Sequence, residues 1–317
     1  MSRRGDLTLA VTSGDPRGIG PEVVRKAARA LRDEPARPRL IYVGPAGTGA
    51  EAACAAAVIT GEWHGGSAAE AGALAGAAIE RAAGMCLAGE ADALVTAPID
   101  KSALHAGGYH FPGHTEMLAH LASVQHVVML MDAEQTGLGG PLRVVLATTH
   151  LPLASVPAAL SVDLLVEQAR ITAAALREGW GIGQPRLALC AVNPHASDGG
   201  LFGDEEARIV GPARDRLLAE GVAVTGPIPA DTVFVRALRG EFDVVIAPYH
   251  DVGMAAFKTA AFGRGVNVTL VLPFARTSPD HGTALDIAGK DVADPGSMIE
   301  AVRLAARLAA GRNASRP

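Results

Sequence analysis

The sequence predicts an α/β protein, a largely parallel or mixed sheet with helices on both faces. Two observations lead there. Short runs rich in aliphatic and β-branched residues alternate along the chain with longer helical patterns, the order in which strand–helix–strand units are written. Hydrophobic residues make up 49% of the 317 positions, enough to bury a large core as one big domain or two lobes.

The expected strands are 8–12, 40–43, 93–96, 126–131, 143–148, 186–192, 242–247 and 267–272, and the expected helices 21–31, 68–88, 162–178, 204–219 and 297–310. In 162–178 an apolar stripe runs through Leu164, Leu165, Ala169, Ile171, Thr172 and Leu176 at near-helical spacing. No internal repeat is visible. Pro and Gly collect in turns rather than in one linker, so two lobes would be interwoven, the chain crossing between them more than once.

Composition excludes several classes of function. A net charge of -5 and 28 scattered Lys and Arg give no basic field for a nucleic-acid backbone and favour a small-molecule partner. Cys54, Cys86 and Cys190 are odd in number and far apart, which argues against a disulfide framework or a cysteine zinc site and for a reducing compartment. The opening MSRRGDLTLAVTSGD lacks the apolar stretch of a signal peptide. The Ala-rich stretch 67–94 is interrupted by Glu70, Glu80, Arg81, Glu90 and Asp92 and does not read as a membrane span. The expectation is a cytoplasmic protein. The GPAGTG run at 44–49 follows a strand but is not GxGxxG, and reads as a βα turn.

Three histidines stand out by position. His150 ends VVLATTH, His195 follows LALCAVNPH and His250 follows FDVVIAPYH, each at the carboxyl end of an expected strand. Ligands of open α/β sheets bind outside those ends, so three distant segments can converge there. Imidazoles suit Zn²⁺, Co²⁺ and related ions, and three of them leave coordination positions for substrate oxygens. A single such histidine is more often a hydrogen-bonded turn residue; three on one topological edge favour a metal. His110 and His114 are separated by Pro112 and Gly113 and read as a loop, with His114 a substrate candidate.

Other polar segments surround strand ends. GDPRGIGPE at 14–22 leaves a strand and opens a helix with Pro21 near its first position, a place suited to an anion or polar cofactor group. Thr96–Lys101 and Gly113–Glu116 lead into apolar stretches, and there capping by Asp100 or Thr115 is as good a reading as binding. Lys258, Asn267 and Arg276, nine residues apart, supply a cation, an amide and a guanidinium suited to carboxylate and phosphate. Asp231 and Asp251 are carboxylates that could orient a ligand histidine or transfer a proton, with a helix cap as the plainer reading of Asp231.

Together GDPRGIGPE, TAPIDK, GHTEMLA, TTHLPL, NPHASDGG, GPIPADT, YHD and GRGVNVTLVLPFARTSPDHGTALDIAGK strongly resemble the 4-hydroxythreonine-4-phosphate dehydrogenase family of pyridoxal phosphate biosynthesis. The resemblance spans 14–298. It implies a two-lobed α/β/α subunit like isocitrate and isopropylmalate dehydrogenases, with the active site in the interlobe cleft, completed by the partner of a homodimer. The expected division is 1–125 with 285–317 in one lobe, and 126–284 in a second carrying metal and dimer contacts. By matching motifs, the resemblance makes His150, His195 and His250 ligands of one divalent metal (Zn, Co or Mg), shared across the dimer interface. It makes His114, Thr115, Lys258, Asn267 and Arg276 substrate contacts, and Asp231, Asp251 and Lys258 the proton-transfer candidates. DHGTALDIAGK resembles the adenosine loop of the isopropylmalate dehydrogenase group, which makes His281, Gly282 and Asp286 contacts of NAD or NADP.

The implied reaction is oxidation of 4-phosphooxy-L-threonine to a β-keto acid that loses CO₂. The alternatives are oxidation of D-erythronate or D-threonate 4-phosphate within the family and, in another class, a metallohydrolase, which has no use for DHGTALDIAGK. The sequence departs from the family pattern at Val252 after His250-Asp251, at Pro279, and at Lys290-Asp291, where Thr-Gly is usual.

Overall fold

The computed structural model describes residues 7–35 and 37–315. The chain divides into two compact units, Met1–Val127 with Val266–Pro317, and Val128–Gly265. Unit 1 begins with β1 (Thr8–Thr12), α1 (Gly20–Ala30), β2 (Arg39–Ala46), β3 (Ala56–Glu62), α2 (Ala68–Leu87), β4 (Ala93–Thr96), α3 (Lys101–Ala106) and α4 (His114–Leu121). Unit 2 comprises β5 (Val128–Ala133), β6 (Leu142–Leu146), α5 (Val156–Ala159), α6 (Val162–Trp180), β7 (Leu187–Cys190), α7 (Gly211–Ala219), β8 (Val224–Ile228), α8 (Ala230–Leu238), β9 (Val244–Ala247) and α9 (His250–Ala261). The chain then returns to unit 1 through β10 (Val266–Leu270), β11 (Ala275–Pro279) and α10 (Gly296–Ser315).

Within unit 1 the strand order is β3-β2-β1-β4-β11-β10, and within unit 2 it is β5-β6-β9-β7-β8. Pairing is parallel except for β10 with β11 and β5 with β6. The mixed sheet read from the sequence is therefore what forms. β1, β4, β6, β7 and β9 are the continuous apolar runs that strands covered on both faces require. α2 starts in a Ser67/Glu70 capping box and turns Ala75, Ala82, Ala83 and Ile79 into the unit 1 core. Its small residues allow close approach: a Cβ on Gly72 would lie 1.8 Å from the Ala103 carbonyl of α3. Unit 2 buries Leu142, Val144, Val245 and Phe257 in a core of its own. Among the described residues no helix is long and apolar enough to cross a membrane.

Three strands escape the sequence reading. β3 has a weakly alternating pattern, β8 reads VTGPI with Gly and Pro inside it, and β11 reads ARTSP. β3 and β8 lie at sheet ends, where short and Pro-containing strands are tolerated. β11 is polar yet wholly buried, so local propensity points away from the state that its neighbours impose. It also moves the division of the chain. The sequence placed the return to the first lobe at 285, but the return is at Val266. β11 hydrogen-bonds to both β10 and β4, and Thr277 donates its hydroxyl to Ala301 of α10 at 2.8 Å. Asn267, Arg276, His281 and Gly282 thus belong to unit 1.

The turn from β1 into α1 is a joint. Asp15, 1% exposed, accepts from the amide and guanidinium of Arg17 and sends its own amide to Pro98 at 2.9 Å. The Ile19 amide donates to the Thr283 carbonyl at 2.9 Å, so the start of α1 is engaged by the chain itself. Gly14 sits at φ +67° with its missing Cβ 2.1 Å from the Pro98 carbonyl. Gly14→Ala adds a left-handed backbone penalty of roughly 1–2 kcal/mol to an overpacking cost of about 1–3 kcal/mol. We expect a lower urea midpoint at unchanged m-value, measured by equilibrium unfolding.

Candidate active site: a histidine edge and a buried guanidinium

In unit 2, β6, β9 and β7 are parallel neighbours in that order. Each delivers one of the three histidines from its carboxyl end. The β6 and β9 exits are tied together, because the Ala147 amide donates to Ala247 at 2.8 Å and the Thr148 hydroxyl to Pro248 at 2.8 Å. Gln168 of α6 donates to the Ala147 carbonyl at 3.0 Å. The His150 and His250 rings consequently meet, with centroids 5.5 Å apart. A cavity of about 80 Å³ beside them is lined by Thr148, Tyr249 and Asp251, room for an ion and a few waters rather than for an organic substrate.

Asp251 is 2.7 Å from Nδ1 of His250. A carboxylate accepts, so Nδ1 carries the proton and Nε2 keeps its lone pair, the arrangement that a metal-binding imidazole needs. His195 leaves β7, next to β9, in an exposed loop. Among the described residues no group of three or more His, Cys, Asp or Glu side chains stands ready to hold a metal. The chain thus brings two of the three predicted ligands together and holds the third on the adjoining strand. Donor type, the His250 tautomer and the common strand edge fit a divalent ion, and a ligand set divided between two copies need not close within one.

Backbone strain marks two of these histidines. His150 has φ +53° and His195 φ +50°, followed by Ala196 (+54°), Ser197 (+68°), Asp198 (+43°) and Gly199 (+70°). Left-handed backbone costs roughly 1–2 kcal/mol per non-glycine residue and normally occurs singly. A run of this length persists only where its surroundings over-determine it, as functional sites do. Lys258 lies on α9 eight residues beyond His250, two turns along the same side. Asp231 is exposed in the first turn of α8, which Pro229 precedes and no side chain caps; the capping reading of Asp231 does not hold. That of Asp100 does, since it accepts from Ala103 at 2.9 Å.

Unit 1 holds a second constellation. Arg276 of β11 faces Thr269 across the β10 pairing, and register puts Asn267 and Ser278 on the same face. The Arg276 guanidinium is 2% exposed and donates to Thr269 at 2.9 Å and to Thr96 at 2.6 Å, while its Nε has no partner. Burial pulls its pKa down to about 10, against the pull of Glu116, so it stays charged at neutral pH. The Asn267 Oδ1 and His114 Nε2 are likewise enclosed without partners. His114 opens α4, with Thr115 half-buried beside it. Burial, then Arg276 and Lys101, hold the His114 ring far below its usual pKa and therefore neutral. A buried cation without a carboxylate, next to unsatisfied polar atoms, is costly unless an anion joins it.

The predicted cofactor segment follows β11 as turns, not as a helix entrance, with Gly282 and Asp286 exposed. His281 directs Nδ1 toward the Gly282 carbonyl at 3.0 Å and keeps an enclosed Nε2 without a partner. The GPAGTG run closes on Glu51, which accepts from Gly47 and Thr48 at 3.0 and 2.8 Å, as a turn should. Sequence reasoning passed over Thr96 and Thr269 as holders of Arg276, and Glu206 beneath the His195 loop. Only register brings the threonines to Arg276. The Gly203-Asp-Glu-Glu206 run after a glycine-rich loop was a usable signal.

The family described as "Pyridoxal phosphate biosynthetic protein PdxA" matches residues 23–305. A 4-hydroxythreonine-4-phosphate dehydrogenase of Aromatoleum aromaticum is 45% identical over 328 aligned residues, covering 97% of this chain and 98% of that protein. The crystal structure of a 4-hydroxythreonine-4-phosphate dehydrogenase from Klebsiella pneumoniae superposes with a TM-score of 0.83 at 38% identity, over 97% of this chain and 99% of that one. Isocitrate dehydrogenase from Methylococcus capsulatus, 14% identical, shares the fold with a TM-score of 0.52 over 94% and 84% of the two chains. With its fold and nearly its whole length matched, this chain belongs to the PdxA family.

Proposed function

We propose that this protein oxidises 4-phosphooxy-L-threonine with NAD⁺ or NADP⁺ to 2-amino-3-oxo-4-phosphooxybutanoate, which decarboxylates to 3-amino-2-oxopropyl phosphate. The observation that carries this reading is the buried Arg276 guanidinium, charged, hydrogen-bonded to two threonines and to no carboxylate, with the enclosed His114 Nε2 and Asn267 Oδ1 also unsatisfied. That set fits a phosphate or carboxylate, and the relatives of matching length are named for a phosphorylated substrate.

His150, His195 and His250 would hold one divalent ion, Zn²⁺ or Co²⁺ by donor type rather than Mg²⁺. Such an ion, when bound, supplies Lewis acidity to substrate oxygens. Asp251 keeps the His250 Nδ1 protonated and so is committed to orientation. Proton transfer then falls to Lys258 or Asp231. Neutral His114, with Thr115, offers hydrogen bonds that do not repel Arg276 or Lys101, and Arg276 and Asn267 fix the anionic part of the substrate. His281, Gly282 and Asp286 bind the dinucleotide, the enclosed Nε2 of His281 being a polar contact still to be satisfied. The active form is a homodimer whose two copies complete each site.

The deciding assay offers purified protein NAD⁺ or NADP⁺ with 4-phosphooxy-L-threonine, D-erythronate 4-phosphate or D-threonate 4-phosphate, with and without chelator. Reduced dinucleotide is expected with the first substrate and to disappear with chelator. Turnover in metal-depleted protein would exclude the metal role. Arg276→Met removes one partner of a buried charge contact, and kcat/KM should fall by about 2–5 kcal/mol, roughly 30- to several-thousand-fold; steady-state kinetics decides, and an unchanged value would refute the role.

His114 adds a pH dependence to stability. Its folded pKa lies below the unfolded value of 6.5, so on acidification the unfolded chain takes the proton first. The contribution is present above about pH 6.5 and is lost as pH falls, at up to about 1.4 kcal/mol per pH unit. His114→Gln should flatten that part of the pH profile, measured by urea unfolding from pH 7.5 to 5.

A further inference from the structure

We infer that Glu206 is a positioning residue which sets His195 for metal binding by clamping the left-handed loop that carries it; the inference rests on the metal role proposed for His195. Glu206, 5% exposed, opens a turn of π-helix at Glu206–Val210 ahead of α7. It is outside every motif to which the proposed reaction assigns a role. Its Oε1 accepts from the backbone amides of Val192 and Asn193, both at 2.8 Å, and its Oε2 from the Asn193 side chain at 2.9 Å and from the Ser197 hydroxyl. These donors bracket His195, three from the chain entering the loop and one from the middle of the left-handed run.

The chemistry of the carboxylate supports the assignment. Burial alone would push the Glu206 carboxyl up, but the hydrogen bonds from Asn193, Ser197 and the Asn193 amide outweigh it and hold the group below its usual range. The anion is the form that accepts four donors at once. Gly203, at φ +129°, permits the arrangement, because its missing Cβ would lie 2.6 Å from Glu205 Oε2 and 2.8 Å from Asn193 Nδ2. Glu205 also accepts from Asn193 Nδ2, at 2.7 Å. Successive left-handed residues relax to ordinary backbone unless something holds both ends. Here Glu206 does so, while His195 itself stays exposed and available to an ion.

The test uses full-length protein stripped of metal and titrated with Co²⁺, read by equilibrium dialysis and visible ligand-field absorption, for wild type, His250→Ala, Glu206→Ala, Glu206→Gln and Ser197→Ala. Glu206→Ala should weaken Co²⁺ binding about 10- to 100-fold, as loss of outer-shell support does, and alter the absorption bands. Glu206→Gln, which keeps an acceptor for the two amides, should recover most of that loss, and Ser197→Ala, which removes one anchor, should cost less than Glu206→Ala. Lowered thermal stability with Co²⁺ affinity within threefold of wild type, in Glu206→Ala or, if that variant fails to fold, in both milder variants, would overturn the inference while His250→Ala still loses the metal. Wild-type affinity in His250→Ala would instead refute the metal reading itself, and the inference with it.

Discussion

Parallel pairing is the constraint on which the rest of this molecule depends. Parallel strands discharge their chains at a common edge. In unit 2, β6, β9 and β7 therefore send His150, His250 and His195 out of the same side. In unit 1, β1, β4 and β11 run together, and their exits are stitched by the Asp15-to-Pro98 and Ile19-to-Thr283 hydrogen bonds. Six polar motifs that looked unrelated in sequence, those following β1, β4, β6, β7, β9 and β11, lie at the edge of one strand set or the other. The aliphatic residues inside those strands, by contrast, serve only the core.

Two buried arginines separate structure from function. Arg143, 7% exposed, has Asp132 at 2.8 Å and Glu134 at 2.6 Å, and stacks near Trp180. Its charge is answered within the fold, as a buried charge normally must be. Arg276, more deeply buried, donates to two threonine hydroxyls and to no carboxylate, with Glu116 acting on it only electrostatically. Both hydroxyls are neutral, so the guanidinium keeps its charge and adds, after burial, to what holds the neighbouring His114 neutral. A polar strand such as ARTSP is buried with partners within the chain: Arg276 donates to Thr269 and Thr96, and Thr277 to the Ala301 carbonyl.

Helices α1, α2, α6, α7 and α10 and the central strands were legible because periodicity and runs of aliphatic residues reflect burial directly, whereas α3, α4, α5, α8 and α9 were not read. β11 was not, since its buried residues are polar and contradict strand propensity; β3 and β8 failed because sheet-end strands need little of it. The three histidines were legible from their common position after strands. Their different backbone states were not: nothing in NPHASD announces five successive left-handed residues, which arise from the distant Glu206 acting through space. Asp251 was readable as a carboxylate that could orient a ligand histidine or transfer a proton, but the 2.7 Å approach to His250 Nδ1 that favours the first is visible only in the structure.

The departures from the family pattern sort themselves by packing. Asp291 has φ +57°, a conformation natural to the glycine usual there, and aspartate tolerates it better than most residues. It is also paired with Arg25 at 2.6 Å and approached by Lys26 at 3.5 Å, while Lys26 bonds to Glu22 and to the 291 and 293 carbonyls. The substitution thus exchanges backbone freedom for an ion pair onto α1 and preserves the turn. Val252 packs against the unit 2 core beside Phe257, where an amide would need partners that an apolar cluster does not supply. Neither change falls on Arg276, Asn267 or His114. The residues that would recognise the anion, Arg276, Asn267 and His114, all belong to unit 1.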